Sequence, residues 1–150
     1  MTEAEALARI AEFPGAVVSP GATPITVTVP VDRWAEFARL AKDTLGCRFF
    51  SFLSAVDWKE EGLEIIAWVE DAESSLPVLM KTRLAAGATA CPSIVPVYRG
   101  ANWMERECFD MFGVVFEGHP DLRRILLGDD WVGHPLLKSY AVDTPYPPYR

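Results

Sequence analysis

Apolar and polar residues alternate along the first half of the chain with two different periods, and each period predicts an element. Thr2 and Glu5 form a capping box ahead of Ala4, Leu7, Ala8 and Ala11, which recur at helical spacing until Pro14-Gly15 stops the run. A short helix therefore opens the chain. Ile25-Thr26-Val27-Thr28-Val29 alternates as a half-buried strand does, and the Pro20–Pro24 loop joins it to an apolar run at Ala16–Ser19 as a hairpin or near neighbour. From Asp32 to Leu45 the period returns to helical, with Trp34, Phe37, Ala38, Ala41 and Leu45 on one stripe and Gly46 at the usual C-terminal stop. Arg48–Val56, Leu63–Val69 and Leu76–Thr82 are rich in β-formers and are separated by the turn compositions Lys59-Glu60-Glu61-Gly62 and Asp71-Ala72-Glu73-Ser74-Ser75, which predicts a meander of three strands.

The resulting order, α-β-β-α-β-β-β, predicts a two-layer α+β fold with helices on one face of a five-stranded, mostly antiparallel (mixed) sheet. After a loop at Ala85–Pro92 a long helix is expected from about Pro96 to Phe112, ended by Gly113, since proline is tolerated in a first turn. Beyond it the chain is rich in Gly, His and Pro, with one short helical turn expected at Asp121–Leu127. The stretch from Asp143 to Arg150 carries Pro145, Pro147 and Pro148 and is expected to lie extended on a neighbouring protein. Residues 1–92 thus read as the two-layer domain and 93–150 as a helix plus docking segment, within one globular unit of a size that buries a real core.

Charge and cysteine usage narrow the function. With 21 acidic against 14 basic residues the net charge is -7, which provides no positive field for a phosphate backbone and argues against nucleic acid as partner. Cys47, Cys91 and Cys108 show no C-x-x-C spacing, so an iron–sulfur cluster or zinc site held by this chain alone is not expected, and the three read as core thiols in a reducing compartment. The acidic start and the lack of an 18-residue apolar run predict neither a signal peptide nor a membrane span. A mean hydropathy of +0.11 is high for so small a soluble domain and points to apolar surface covered by another chain.

The third helix carries the densest chemistry. Val97, Ala101, Met104, Cys108 and Met111 make its apolar stripe, while Asn102, Glu105, Arg106 and Asp110 crowd the other side. Glu105, Glu107 and Asp110 all fall in its C-terminal half, where the helix dipole disfavours negative charge, and Arg106 is the one local cation. Arg106 is therefore expected to neutralise two or more of these carboxylates, with Arg123, Arg124 or another protein supplying the rest.

The run Glu105-Arg106-Glu107, two residues, Asp110-Met111-Phe112-Gly113, then Gly118-His119-Pro120-Asp121-Leu122-Arg123-Arg124-Ile125-Leu126 resembles the signature segment of the C subunit of NADH:quinone oxidoreductase (respiratory complex I), a family shared with the corresponding subunit of membrane-bound hydrogenases. The resemblance continues through Asp129-Asp130-Trp131 and Gly133-His134-Pro135-Leu136, so that Ala101 to Tyr140 carries the pattern. It departs at Leu137-Lys138-Ser139-Tyr140, where the family usually reads Arg-Lys-Asp-Tyr, so a charge pair is missing.

The resemblance implies a two-layer α/β subunit of the hydrophilic arm, peripheral on the cytoplasmic side of the membrane, without membrane insertion. It implies no cofactor in this chain, with flavin, iron–sulfur clusters and quinone on partner subunits, and an isolated chain that is inactive. Its partners would be the large, hydrogenase-like subunit that helps form the quinone site and neighbouring iron–sulfur subunits. Expected at the partner interface are Glu105, Arg106, Glu107, Asp110, Phe116, His119, Asp121, Arg123, Arg124, Trp131, His134, Lys138 and Tyr140.

Other chemistries compete for the same residues. The carboxylates could serve acid–base catalysis, but consecutive Glu-Arg-Glu spreads them around the helix. His119 and His134, each in a Gly-His-Pro triplet, could join Asp110 or Cys108 in a metal site of a stand-alone enzyme, or could cap turns fixed by proline. Cys108 with His119 as base is opposed by the thiol's place on a core stripe. Trp103, Phe109, Phe112, Phe116 and Trp131 could flank a quinone or flavin, or pack a core or interface.

Overall fold

A computed structural model describes residues 1–143; the expected extended tail lies outside them except for Asp143. The chain runs α1 (Glu3–Ala11), β1 (Val17–Val18), β2 (Ile25–Thr28), α2 (Trp34–Asp43), β3 (Phe49–Asp57), β4 (Leu63–Asp71), β5 (Leu76–Arg83), β6 (Ala90–Pro92), α3 (Ala101–Phe112) and β7 (Val115–Glu117). The capping box forms as expected: the Glu5 N–H donates to the Thr2 hydroxyl and the Thr2 N–H to the Glu5 carboxylate.

Five strands make the main sheet in the order β1-β2-β5-β4-β3. β3, β4 and β5 form the antiparallel meander and β1 pairs β2 antiparallel, while β2 pairs β5 parallel, so the sheet is mixed. Register aligns Val27, Met80, Ala67 and Leu53 across four strands, with Ile25, Val78 and Val69 in the next row. All seven are buried, because alternate residues of a strand share one face. α1 and α2 supply Ala6, Ile10, Trp34, Phe37 and Ala41 to the same core, where Phe13 meets Phe37 edge to face.

Two elements differ from the expectations, and one pair of strands was not foreseen. α3 starts at Ala101, not Pro96, because residues 94–98 fold as a turn in which the Val97 and Tyr98 N–H groups donate to the Ile94 carbonyl. The Tyr98 hydroxyl, donating to the Cys47 carbonyl at 2.7 Å, holds that turn against the sheet domain. The expected helical turn at 121–127 is absent; its backbone N–H groups are directed at α3 instead. β6 and β7 pair in parallel on either side of α3, a strand–helix–strand crossover of the kind parallel strands need. α3 itself lies along β3, the edge strand, where the Met104 sulfur accepts the Leu53 N–H at 3.0 Å. A strand edge is thereby covered.

Candidate functional site

Residues 118–140 form a strap that runs along α3 in the helix's own direction, from His119 at Asn102 to Leu136 at Met111, and the signature side chains are what fasten it. The charged side chains of α3 are buried for the most part: Glu105 and Asp110 are fully buried and Arg106 is 8% exposed. Each of these three finds partners within the chain, as buried charges must.

Asp110 is the centre of the fastening. One carboxylate oxygen accepts the N–H groups of Ile125, Leu126 and Leu127 at 2.8–3.1 Å, and the other pairs with the Arg124 guanidinium at 2.6 Å. This is why 121–127 makes no helical turn, since its N–H groups serve the carboxylate. Burial pushes the Asp110 carboxyl up, but the Leu127 N–H, the guanidinium and the other two N–H groups together hold it below its ordinary value. Arg124 also donates to the carbonyls of Trp131 and Gly133, so one guanidinium joins the helix to two later points of the strap.

Arg106 does not act as the expected hub for the neighbouring carboxylates. Its guanidinium donates to the carbonyls of Arg123 and Arg124 at 3.1 and 3.0 Å and lies over the Trp103 ring, 5.4 Å from its centre. Among the described residues it forms no ion pair with Glu105, Glu107 or Asp110, the last of which belongs to Arg124. Glu105 points to the opposite neighbour, where it accepts the Ser93 hydroxyl at 2.6 Å and the Ile94 N–H at 2.7 Å. It holds the 94–98 turn, and burial raises its pKa to about 7 against the lowering effect of these two bonds.

The two histidines act as struts. His119 contacts the Asn102 carbonyl at 3.1 Å and accepts the Asp121 N–H at its other nitrogen; His134 contacts the Asp110 carbonyl at 2.9 Å. The approach of His134 depends on Gly113, the left-handed C-cap of α3 at φ 76°, because a β-carbon there would sit 2.9 Å from the imidazole. Gly133, at φ 88°, likewise gives way to the Tyr140 ring, which a β-carbon would meet at 3.0 Å. Farther on, the Leu136 N–H donates to the Met111 carbonyl, and Asp57 at the end of β3 accepts the N–H groups of Lys138 and Lys59 at 2.8 Å each. These two N–H groups, Lys138 first, hold the Asp57 carboxyl below its usual value. Asp57 was not foreseen as a strap anchor; a carboxylate closing a strand gives no sign of a partner 81 residues away.

Leu137 and Ser139, the positions that depart from the family pattern, line a cavity of about 500 Å³ together with Asp57, Leu63, Phe112 and Lys138.

Of the residues expected at an interface, Glu105, Arg106, Asp110 and Phe116 are buried within this chain, Phe116 as a core residue of β7. His119, Arg124, Trp131, His134 and Tyr140 are half-buried, and Glu107, Asp121, Arg123 and Lys138 are exposed. Among the described residues, Asp110, His119 and His134 are not brought together as a metal-holding group. Burial pushes the Cys91 and Cys108 thiols far up, and Cys47 to about 11, which leaves them poor nucleophiles. The aromatics disperse: Trp103 is 64% exposed, Phe109 meets His134, and Phe112 and Phe116 are buried.

Fold and fastening define an α+β domain with a charge-pinned C-terminal strap. The chain belongs to the family described as Respiratory-chain NADH dehydrogenase, 30 Kd subunit, whose model matches residues 27–146. Its curated relatives include the NADH-quinone oxidoreductase C subunit of Rhodobacter capsulatus, 47% identical over 120 residues that cover 77% of this chain and 60% of that protein. The C subunit of Moorella thermoacetica is 36% identical over 88% of this chain and 90% of the relative. In structure the chain resembles a trypsin-resistant fragment of Nqo5, with a TM-score of 0.70 at 22% identity, covering 81% of this chain and all of the fragment. It also matches a chain of the membrane-bound sulfane sulfur reductase, an archaeal respiratory membrane complex, with a TM-score of 0.73 at 25% identity over 85% of this chain and 77% of the other. No helix among the described residues is long and apolar enough to cross a membrane.

Proposed function

We propose that the chain is a cofactor-free scaffold subunit in the hydrophilic arm of a proton-pumping NADH:quinone oxidoreductase, peripheral on the cytoplasmic side of the membrane. It holds the large quinone-site subunit and adjoining iron–sulfur subunits, and the flavin, clusters and quinone reside on those partners. Its contribution to turnover is indirect, through positioning, where displacements of an ångström reduce rates strongly. The observation that supports a scaffold over a catalyst is the engagement of the signature charges. Asp110, Arg106 and Arg124 are engaged with the strap's own backbone or with one another, and the buried Glu105 with Ser93 and Ile94.

The test is affinity purification of the tagged chain from membranes of its native host. Quinone-site and iron–sulfur subunits should accompany it, with NADH:quinone activity in the eluate, while the isolated chain shows no visible absorption after desalting and oxidises no NADH. A visible band that survives desalting, or turnover by the pure chain, overturns the scaffold reading. A second reading, the equivalent subunit of a membrane-bound hydrogenase-type complex, is favoured by the match to the sulfane sulfur reductase chain. The identity of the co-purifying large subunit separates the two.

A further inference from the structure

With so many signature charges turned inward, what the α3–strap face presents to the outside is a different set of residues. Trp103 is 64% exposed, Leu126 62%, Val132 86% and Leu136 52%, four bare apolar side chains on α3 and its strap. Hydrogen bonds draw Trp103 and Leu126 to the same part of α3. Arg106 under the Trp103 ring donates to the carbonyls of Arg123 and Arg124, and the Leu126 N–H donates to Asp110 one turn further along the helix.

Trp103 is also held ready. An exposed tryptophan ordinarily samples several rotamers, and docking must fix one. Here the ring lies against a guanidinium that is 8% exposed and anchored to two carbonyls, so the protein has already restricted it. A restrained, solvent-facing tryptophan has the character of an interface anchor.

Charge says what the anchor fits. Between Arg99 and Asp143 the exposed residues include six carboxylates and three cations. Arg123 is paired with Asp121 at 2.9 Å, whereas Glu107, one turn from Trp103, and Asp129 and Asp130 are in no ion pair among the described residues. A second copy of this chain would bring like charge against like, and an anionic lipid surface would be repelled.

We propose that Trp103 is the central anchor of a docking face for another protein, one that offers an apolar socket for the indole with lysine or arginine at its rim, opposite Glu107, Asp129 and Asp130. The proposal rests on the scaffold reading for the identity of the assembly, though not for the existence of the face.

The experiment expresses the full-length tagged chain in its native host, in competition with the untagged wild type, and measures its share of the assembled complex. Val17→Ser serves as control, being 66% exposed on β1 at the sheet edge opposite β3 and α3. Trp103→Ala should lower incorporation about thirtyfold, the effect of an anchor residue worth about 2 kcal/mol. Glu107→Lys, which sets a cation against the partner's basic rim, should also lower it, and Val17→Ser should not. Normal incorporation of Trp103→Ala, with an unchanged unfolding temperature in the isolated variant, overturns the proposal. Should that variant lose stability, a photo-crosslinking amino acid at position 103 of the native chain decides. A crosslink to a lysine- or arginine-bearing peptide of another protein supports the face; one to a second copy, to lipid, or to nothing rejects it. If the wild-type chain assembles with proteins other than NADH:quinone oxidoreductase subunits, the scaffold reading fails while the crosslink still tests the anchor.

Discussion

Glu105 and Asp110 lie five residues apart on one helix, both fully buried, yet their environments displace them in opposite directions. Glu105 receives two hydrogen bonds and, among the described residues, no ion pair, so burial dominates and its pKa rises to about 7. A folded carboxyl raised above its unfolded value binds more protons than the unfolded chain between about 4.5 and 7, so its contribution falls as pH rises through that window and is level above it. Glu105→Gln should therefore flatten the decline in unfolding free energy between pH 5 and pH 8 by up to about 3 kcal/mol, as read from urea melts across that range. An unchanged slope would mean Glu105 is already ionised at pH 5. For Asp110 the sign reverses: its depressed carboxyl stabilises the fold above the unfolded value and loses that contribution as pH falls through the folded one. Arg124→Ala leaves this buried carboxylate without its cation and should cost about 3 to 5 kcal/mol at neutral pH, measured by urea unfolding. The sequence shows these charges as a cluster short of cations. It does not show which distant N–H groups reach them, so Arg106 is read as the hub where Arg124 takes Asp110 and a turn takes Glu105.

Elements with their own period were legible and those held by distant partners were not. α2 and β3–β5 follow directly from apolar spacing, with ends moved by one or two residues. The turn at 94–98, the strap at 121–127 and the pair β6–β7 have no period to read, because a side chain elsewhere on the chain or a strand across α3 satisfies their backbone groups. Gly113 connects the two kinds of element, as both the stop of α3 and the seat of His134. Gly113→Ala would combine a strained left-handed alanine with a 2.9 Å contact to the imidazole. It should lower stability by more than about 1 kcal/mol and speed amide exchange around residues 134–136, while β4 and β5 keep their protection. Loss of protection spread evenly over the sheet would show that Gly113 serves the core and not the strap.

Taken whole, the molecule joins a sheet domain with a broad apolar core to a strap held by a few point contacts, Asp110 with Arg124 and, farther on, Asp57, beside the partly buried Leu122, Leu127 and Leu137. Point contacts are few enough to open without unfolding the core, so the strap should form the less stable unit of the two. Native-state hydrogen exchange at rising urea measures this directly. The N–H groups of Ile125, Leu126, Leu127 and Lys138, all bound to carboxylates, should exchange through an opening of lower free energy and smaller urea dependence than those of β4 and β5. Asp57→Asn, which keeps one accepting oxygen and loses the charge, should lower the opening energy at Lys138 before it affects Leu126. If all four amides instead exchange with the strands in one global event, strap and sheet form a single cooperative unit. If the strap does open separately, a partner that binds the closed form stabilises it by mass action, and assembly should slow exchange at these four amides far more than in the sheet.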